Sequence, residues 1–195
     1  WTQQGADIDG EAAGDESGWS VSLSADGSTV AIGARGNDGN GSSSGHVRIY
    51  AWNGSSWTQQ GADIDGEAAG DSSGMSVSLS SGGSTVAIGA GGNDNSSGHV
   101  RIYAWNGSSW NPWGQDIDGE AEGDESGWSV SLSADGSTVA IGAAENAGNG
   151  TNSGHVRIYA WDGSSWTQQG ADIDGEAAGD YSGRSVSLSA DGSTV

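Results

Sequence analysis

Carboxylates dominate the chemistry this sequence could do. The segment Asp7-Ile8-Asp9-Gly10-Glu11, with Asp15 just beyond it, returns as Asp63, Asp65, Glu67 and Asp71, then as Asp116, Asp118, Glu120 and Asp124, and again as Asp172, Asp174, Glu176 and Asp180. In an extended chain the two aspartates and the glutamate of each segment face one side. Carboxylates held that close repel one another, and a hard cation with oxygen ligands relieves the repulsion; Ca²⁺ takes about six to eight such ligands at roughly 2.3–2.6 Å. The spacing is too short for an EF-hand loop. Two readings stand: a Ca²⁺ site, or a solvated acidic loop whose carboxylates cap backbone turns.

The remaining reactive types argue against catalysis. His46, His99 and His155 recur in equivalent places, each followed two residues on by Arg48, Arg101 or Arg157. A general acid or base is needed once, so the repetition points to a strand face that packs on a neighbour, with the arginine pairing to a repeat carboxylate. Serine is abundant beside histidine and aspartate, but the sequence has no Gly-x-Ser-x-Gly elbow and no Gly-Lys-Ser/Thr phosphate cradle. The expectation is a protein that is not an enzyme. Ten tryptophans and no phenylalanine offer another use, the stacking of sugar rings on exposed indoles. Trp52, Trp105 and Trp161, with Trp57, Trp110 and Trp166, sit in strand-like runs and suit packing. One position reads Trp19, Met75, Trp128 and Arg184 in successive copies. With the extra Trp113, these are the candidates for exposed contact with a protein or glycan partner. Asn40, Asn53, Asn95, Asn106 and Asn149 each head an Asn-x-Ser/Thr sequon. They are glycan acceptors in a secreted eukaryotic protein and turn residues otherwise.

These groups must be positioned by a repeat. WTQQGADIDGEAAGD begins at Trp1, Trp57 and Trp166, with the variant WNPWGQDIDGEAEGD at Trp110, at spacings of 56, 53 and 56 residues. The units are residues 1–56, 57–109, 110–165 and a partial fourth at 166–195. Inside one unit, Ser20–Ser24 alternates polar and apolar, and Thr29–Ala34 follows an Asp-Gly turn. His46–Trp52 then runs to an Asn-Gly turn and Trp57–Gln60. Each pair reads as a β-hairpin, so a unit supplies four short strands and no helical period. Four antiparallel strands in every ~50 residues predict an all-β fold built of β-propeller blades, with an open β-solenoid or repeat array as the alternative. Pro112 falls in the fourth strand, an outer edge where a missing N–H is tolerated. Counting strands from Trp1 to Val195 gives a number that does not divide into whole blades. The chain is therefore expected to be a stretch of a longer array, or a protomer whose open β ends self-associate.

Charge bounds the partners. Twenty-six Asp and Glu stand against five Arg, a net −21, which disfavours nucleic acid and anionic membrane. No apolar run approaches the ~20 residues of a membrane span, so no membrane insertion is expected. With no cysteine, disulfides and thiolate metal sites are excluded.

The run GDESGWSVSLSADGSTVAIGA at 14–34, followed by GHVRIYAW at 45–52, resembles the FG-GAP repeat of integrin-α-type propellers in its short microbial and algal form. The resemblance covers every copy. It implies a propeller fold, an extracellular or cell-surface location, and adhesion or recognition rather than catalysis. Two departures stand out. Ser17, Ser73, Ser126 and Ser182 occupy the position of the family's phenylalanine. Between the first and second strands, Ala-Asp-Gly-Ser or Ser-Gly-Gly-Ser replaces the Asp-rich loop of calcium-binding copies, so that metal site is not carried over. The functional expectation is a non-enzymatic extracellular scaffold for adhesion or recognition within a larger protein. A building block of a filament, sheath or coat is one alternative, and a tryptophan-based glycan-binding propeller is another.

Overall fold

A computed structural model describes residues 1–195 and shows three antiparallel sheets of four strands that do not close into a ring. The first contains β1 (Ser20–Leu23), β2 (Thr29–Ala34), β3 (His46–Trp52) and β4 (Trp57–Gln59) in sequential order, and β5 (Ile64–Asp65) joins the far end of β3. The second contains β6 (Ser76–Leu79), β7 (Thr85–Ala90), β8 (His99–Trp105), β9 (Trp110–Pro112) and β10 (Ile117–Asp118). The third contains β11 (Ser126–Leu132), β12 (Thr138–Ala143), β13 (His155–Trp161), β14 (Trp166–Gln168) and β15 (Ile173–Asp174). Each sheet therefore straddles two sequence repeats, because the opening Trp of one repeat supplies the outer strand of the preceding blade.

The turns hold as their sequences dictate. Asp26 Oδ1 accepts from the Ser28 amide at 2.9 Å and from Ser24 Oγ at 2.7 Å, closing the first hairpin. Asn53 Oδ1 accepts from the Ser55 and Ser56 amides, both at 3.0 Å, and closes the second. Pro112 lies on the edge strand β9 opposite Tyr103, where its missing donor faces outward.

Three segments depart from the expected strand count. Trp1–Gln4 forms no strand, since nothing in the chain supplies a third strand beside it. Residues 185–195 form none either: the turn at Ser189–Gly192 leaves only Thr194 and Val195 to pair back, and a two-stranded hairpin is marginal alone. Conversely, the outer strand breaks after β4 and resumes as β5, β10 or β15, where Ile64 pairs with Val47 and Asp65 with His46. An isoleucine drives that return, Ile64 being 6% exposed and Ile117 4% exposed.

The core lies between the sheets. Ala31, Val47, Ile49 and Ile64 of the first blade pack on Val77, Leu79, Val86 and Ile88 of the second, and the same positions repeat one blade later. Polar bonds fix the register of this stacking. Ser22 Oγ accepts from the Leu79 amide at 2.9 Å, Ser78 Oγ from Leu132 at 3.0 Å, and Ser131 Oγ from Leu188 at 3.0 Å. At the outer edge, the indole N–H of Trp57, Trp110 and Trp166 donates to the backbone carbonyls of Gln4, Gln60 and Trp113, at 3.0, 2.9 and 2.7 Å. Each of these indoles also meets its strand partner, Trp52, Trp105 or Trp161, with centroids 5.4 to 5.6 Å apart. Gly61 and Gly114 adopt positive φ beneath those pairs, where an added Cβ would strike the indoles.

Trp113 is thereby corrected from an exposed contact residue to a packing one. It is half-buried, 5.4 Å from Trp161 and 5.5 Å from Trp166, because it takes the place of Gln60 under the Trp pair. Truncating a buried indole costs about 3–5 kcal/mol. Trp166→Ser, at a site only 3% exposed, is expected to lose that much in urea unfolding, while Trp19→Ser, at a site 52% exposed, should lose less than about 1 kcal/mol.

Candidate functional site at the blade rim

Chain direction places all the acidic segments on one rim. The second strand of each blade runs up to this rim and the third runs down from it, so the loops 35–45, 91–98 and 144–154 meet the segments that cross to the next blade. The loops are tied to those crossings. Asn40 Nδ2 donates to the carbonyls of Gly66 and Glu67 at 2.9 and 3.0 Å, and Asn149 does the same to Gly175 and Glu176 at 2.9 and 3.1 Å. The shorter second loop instead turns through three consecutive left-handed residues, Asp94, Asn95 and Ser96.

The four acidic positions of a segment separate into distinct roles. Asp15, Asp71 and Asp124 are buried, and each accepts backbone N–H groups of its own turn, as from Ala12, Ala68 and Ala121. Asp15 and Asp124 also accept from Asn37 and Asn146 of the loop, at 3.0 and 2.8 Å. Asp180 accepts from Ala177. Asp7, Asp63 and Asp172 each accept from a glutamine four residues earlier. Asp9, Asp65 and Asp118 contribute carbonyls instead: Arg48, Arg101 and Arg157 donate Nη2 to them at 2.6, 2.6 and 2.7 Å. Asp174 is exposed, as is Glu176. No three carboxylates of one segment come within 4.8 Å of one another, since the last aspartate is committed to capping its turn and the first is held by a glutamine.

What converges is a mixed set drawn from two successive repeats. Glu11, His46 and Asp63 present donor atoms within 4.8 Å of one another, as do Glu67, His99 and Asp116, and Glu120, His155 and Asp172. His46 opens β3 and is 1% exposed; its Nδ1 stands 3.9 Å from Glu11 Oε2 and 3.8 Å from Asp63 Oδ2. His155 repeats those distances to Glu120 and Asp172. Arg48 Nη1 lies 3.7 Å from the other oxygen of Glu11. The Nε2 atoms of His46 and His99 are buried without a hydrogen-bond partner. Burial, and secondarily Arg101, pushes the His99 imidazolium toward deprotonation. Sequence reasoning assigned the histidines to packing and overlooked this set, whose members lie about a repeat apart; the signal was the recurrence of His at the rim end of every third strand.

The variable position sits on the same rim. Trp19 is exposed under Arg35, whose guanidinium lies 3.3 Å from the ring and bonds Glu16 at 2.7 Å. Met75 and Trp128 are half-buried, and Arg184 is exposed within 5.9 Å of the Trp128 ring. Among the sequon asparagines, Asn40 and Asn149 commit their amides to the next repeat, so a glycan there would replace one of two donating N–H groups. Asn53, Asn95 and Asn106 lie in turns: Asn53 and Asn106 close them through Oδ1, and Asn95 bonds Glu122 at 3.0 Å.

Stacked four-stranded sheets joined through their outer strands define a β-propeller-type repeat protein. The FG-GAP repeat family model matches residues 1–50 and 117–159, so these two stretches are similar to the FG-GAP repeat. Ser73 and Ser126, which stand in place of the family's phenylalanine, are fully buried where blades meet, paired in isolated bridges with Gly45 and Gly98. Among solved structures, the chain is similar to a Kuenenia stuttgartiensis hydrazine synthase, with a TM-score of 0.59 and 14% identity over 98% of this chain and 44% of that one. It is also similar to Saccharomyces cerevisiae Sqt1, with a TM-score of 0.55 and 16% identity over 85% of this chain and 38% of that one. Both likenesses are of fold alone, and the chain spans less than half the length of either. No curated protein matches the sequence. No helix is long and apolar enough to cross a membrane.

Two expectations follow. With the aspartates separated, unfolding midpoints in Ca²⁺ and in EDTA should agree within about 1 °C; a steep rise with Ca²⁺ would show a native-state site. Burial, then Glu145, raises the Glu125 carboxyl above its ordinary 4.5. The unfolded chain therefore ionises there first as pH climbs, and the folded state loses stability across the window above 4.5. Glu125→Gln should melt about 2 °C higher than the parent at neutral pH, with the gain vanishing below the ordinary glutamate range.

Proposed function

We propose that this chain is a non-enzymatic, extracellular repeat scaffold that serves adhesion or recognition as a segment of a larger protein. The observation that carries the reading is the rim. Near-identical sheets hold up loops that differ in length and sequence, and beside them one position changes from tryptophan to methionine to arginine. A framework that stays fixed while one exposed edge varies suits partner recognition. The match to the FG-GAP repeat supports the scaffold, and the acidic surface suits cationic partners.

The second reading, a structural building block, is favoured by a different observation. Val21 and Leu23 on β1 are 63% and 59% exposed, whereas their equivalents Val77 and Leu79 are 8% and 7% exposed beneath the preceding blade. Burial of such side chains is worth roughly 1.5–3 kcal/mol each, so this face favours a neighbouring blade.

One experiment separates the readings. Replacing loop 35–45 by the sequence of loop 91–98 should weaken capture on an array of extracellular-matrix proteins and glycans at least about tenfold while leaving the unfolding midpoint within about 2 °C. Ordered polymers by electron microscopy, with no ligand captured by either form, would establish the structural reading in its place.

A further inference from the structure

We propose that each junction between successive repeats binds a divalent first-row transition cation of the Zn²⁺ type through one histidine and two carboxylates. The first site is Glu11, His46 and Asp63, the second Glu67, His99 and Asp116, and the third Glu120, His155 and Asp172. It stands apart from the recognition reading and from the calcium expectation, since it joins one carboxylate from each of two successive repeats to a nitrogen donor.

The histidine carries the argument. The His46 side chain is 2% exposed, and no group in the protein hydrogen-bonds either ring nitrogen; Nδ1 is aimed between two carboxylate oxygens at 3.9 and 3.8 Å. Those separations lie well outside hydrogen-bonding distance, into which a simple charged pair would draw its members. They suit a shared central ion instead. Bonds of about 2.0–2.2 Å in a tetrahedral set place donors roughly 3.4 Å apart, so each histidine–carboxylate pair closes with a contraction of about 0.4–0.5 Å. The parts able to move are the carboxylates, since the Glu11 and Asp63 side chains are 46% and 27% exposed while the imidazole is fixed. The same distances recur at His155, with side chains equally exposed, so the arrangement is a property of the repeat.

Donor chemistry selects the ion. Imidazole suits Zn²⁺ and its first-row neighbours, while Ca²⁺ and Mg²⁺ prefer all-oxygen sets. Arg48 Nη1 pairs electrostatically with Glu11 Oε1 at 3.7 Å, and Oε2 is the oxygen beside His46, an arrangement that suits an outer-shell partner. Three protein donors leave a fourth position for water or an outside ligand. The net charge of −21 favours cation entry. At the middle junction only Arg101 and Glu67 approach within 4.0 Å, at 3.5 Å, so that site should be the weakest.

Because the glutamate comes from one repeat and the aspartate from the next, the ion would bind only the assembled junction and stabilise it by mass action. The test is calorimetric titration of the EDTA-stripped full chain with Zn²⁺, with Co²⁺ as the spectroscopic probe. Expected are saturable binding, a Zn²⁺-dependent rise in unfolding midpoint, and the loss of one equivalent in each of His46→Gln and His155→Gln. No saturable binding, or an unchanged stoichiometry in both variants, overturns the proposal. If a buried histidine variant fails to fold, Asp63→Asn and Asp172→Asn decide, since each alters a partly exposed side chain. An affinity at least about tenfold weaker at the altered junction upholds the site, and an unchanged affinity overturns it. Displacement of Zn²⁺ by equimolar Ca²⁺ overturns the nitrogen-donor assignment.

Discussion

No sheet in this chain can bury both of its faces alone. Each carries Val, Leu, Ile and Tyr toward one neighbour and Ala, Val and Ile toward the other, so the smallest self-sufficient unit is a pair of blades. Everything else follows from meeting that requirement with one repeated surface. Apolar contact supplies most of the stabilisation but little direction. Direction comes from polar groups that must find partners once buried. Ser22 meets the Leu79 amide, Arg48 meets the Asp9 carbonyl and Trp57 meets the Gln4 carbonyl, and together they fix height, tilt and outer edge.

The same requirement explains the rim. Crossing from the outer strand of one blade to the inner strand of the next takes a segment rich in turns, and a turn needs acceptors for its free amides. Asp15 and its equivalents supply them from buried positions. The acidity of the segment is thus partly structural. Once the capping aspartates are subtracted, what remains at each crossing is a glutamate and an aspartate beside a buried histidine.

Much of this was legible in sequence. Period-two alternation gave the strands, Asp-Gly and Asn-Gly gave the hairpins, and the displaced Trp gave an outer strand closing the preceding blade. The packing role of Trp57 and Trp166 followed from their place in strands. Three things were not legible. Ile64–Asp65 is too short to show a period, and only its pairing with Val47 and His46 makes it a strand. Trp113 looked exposed because it replaces a glutamine, a substitution whose meaning depends on the indole pair of the next blade. The His-Glu-Asp grouping joins residues about a repeat apart, which no local window connects.

Trp113 also bears on how the array assembles. Where successive interfaces are chemically alike, a blade displaced by one repeat meets nearly the same partners, and repeat proteins are prone to such misassembly. At the junction of the second and third blades the indoles of Trp113, Trp161 and Trp166 form a three-ring cluster, and Gln115 bonds the Trp166 backbone in both directions. The equivalent positions earlier in the chain have only two rings, over a glutamine backbone. That junction is therefore distinguishable from its neighbours, and the distinction acts as an address: it breaks the translational symmetry of the chain and gives one pairing an advantage over its off-by-one competitors.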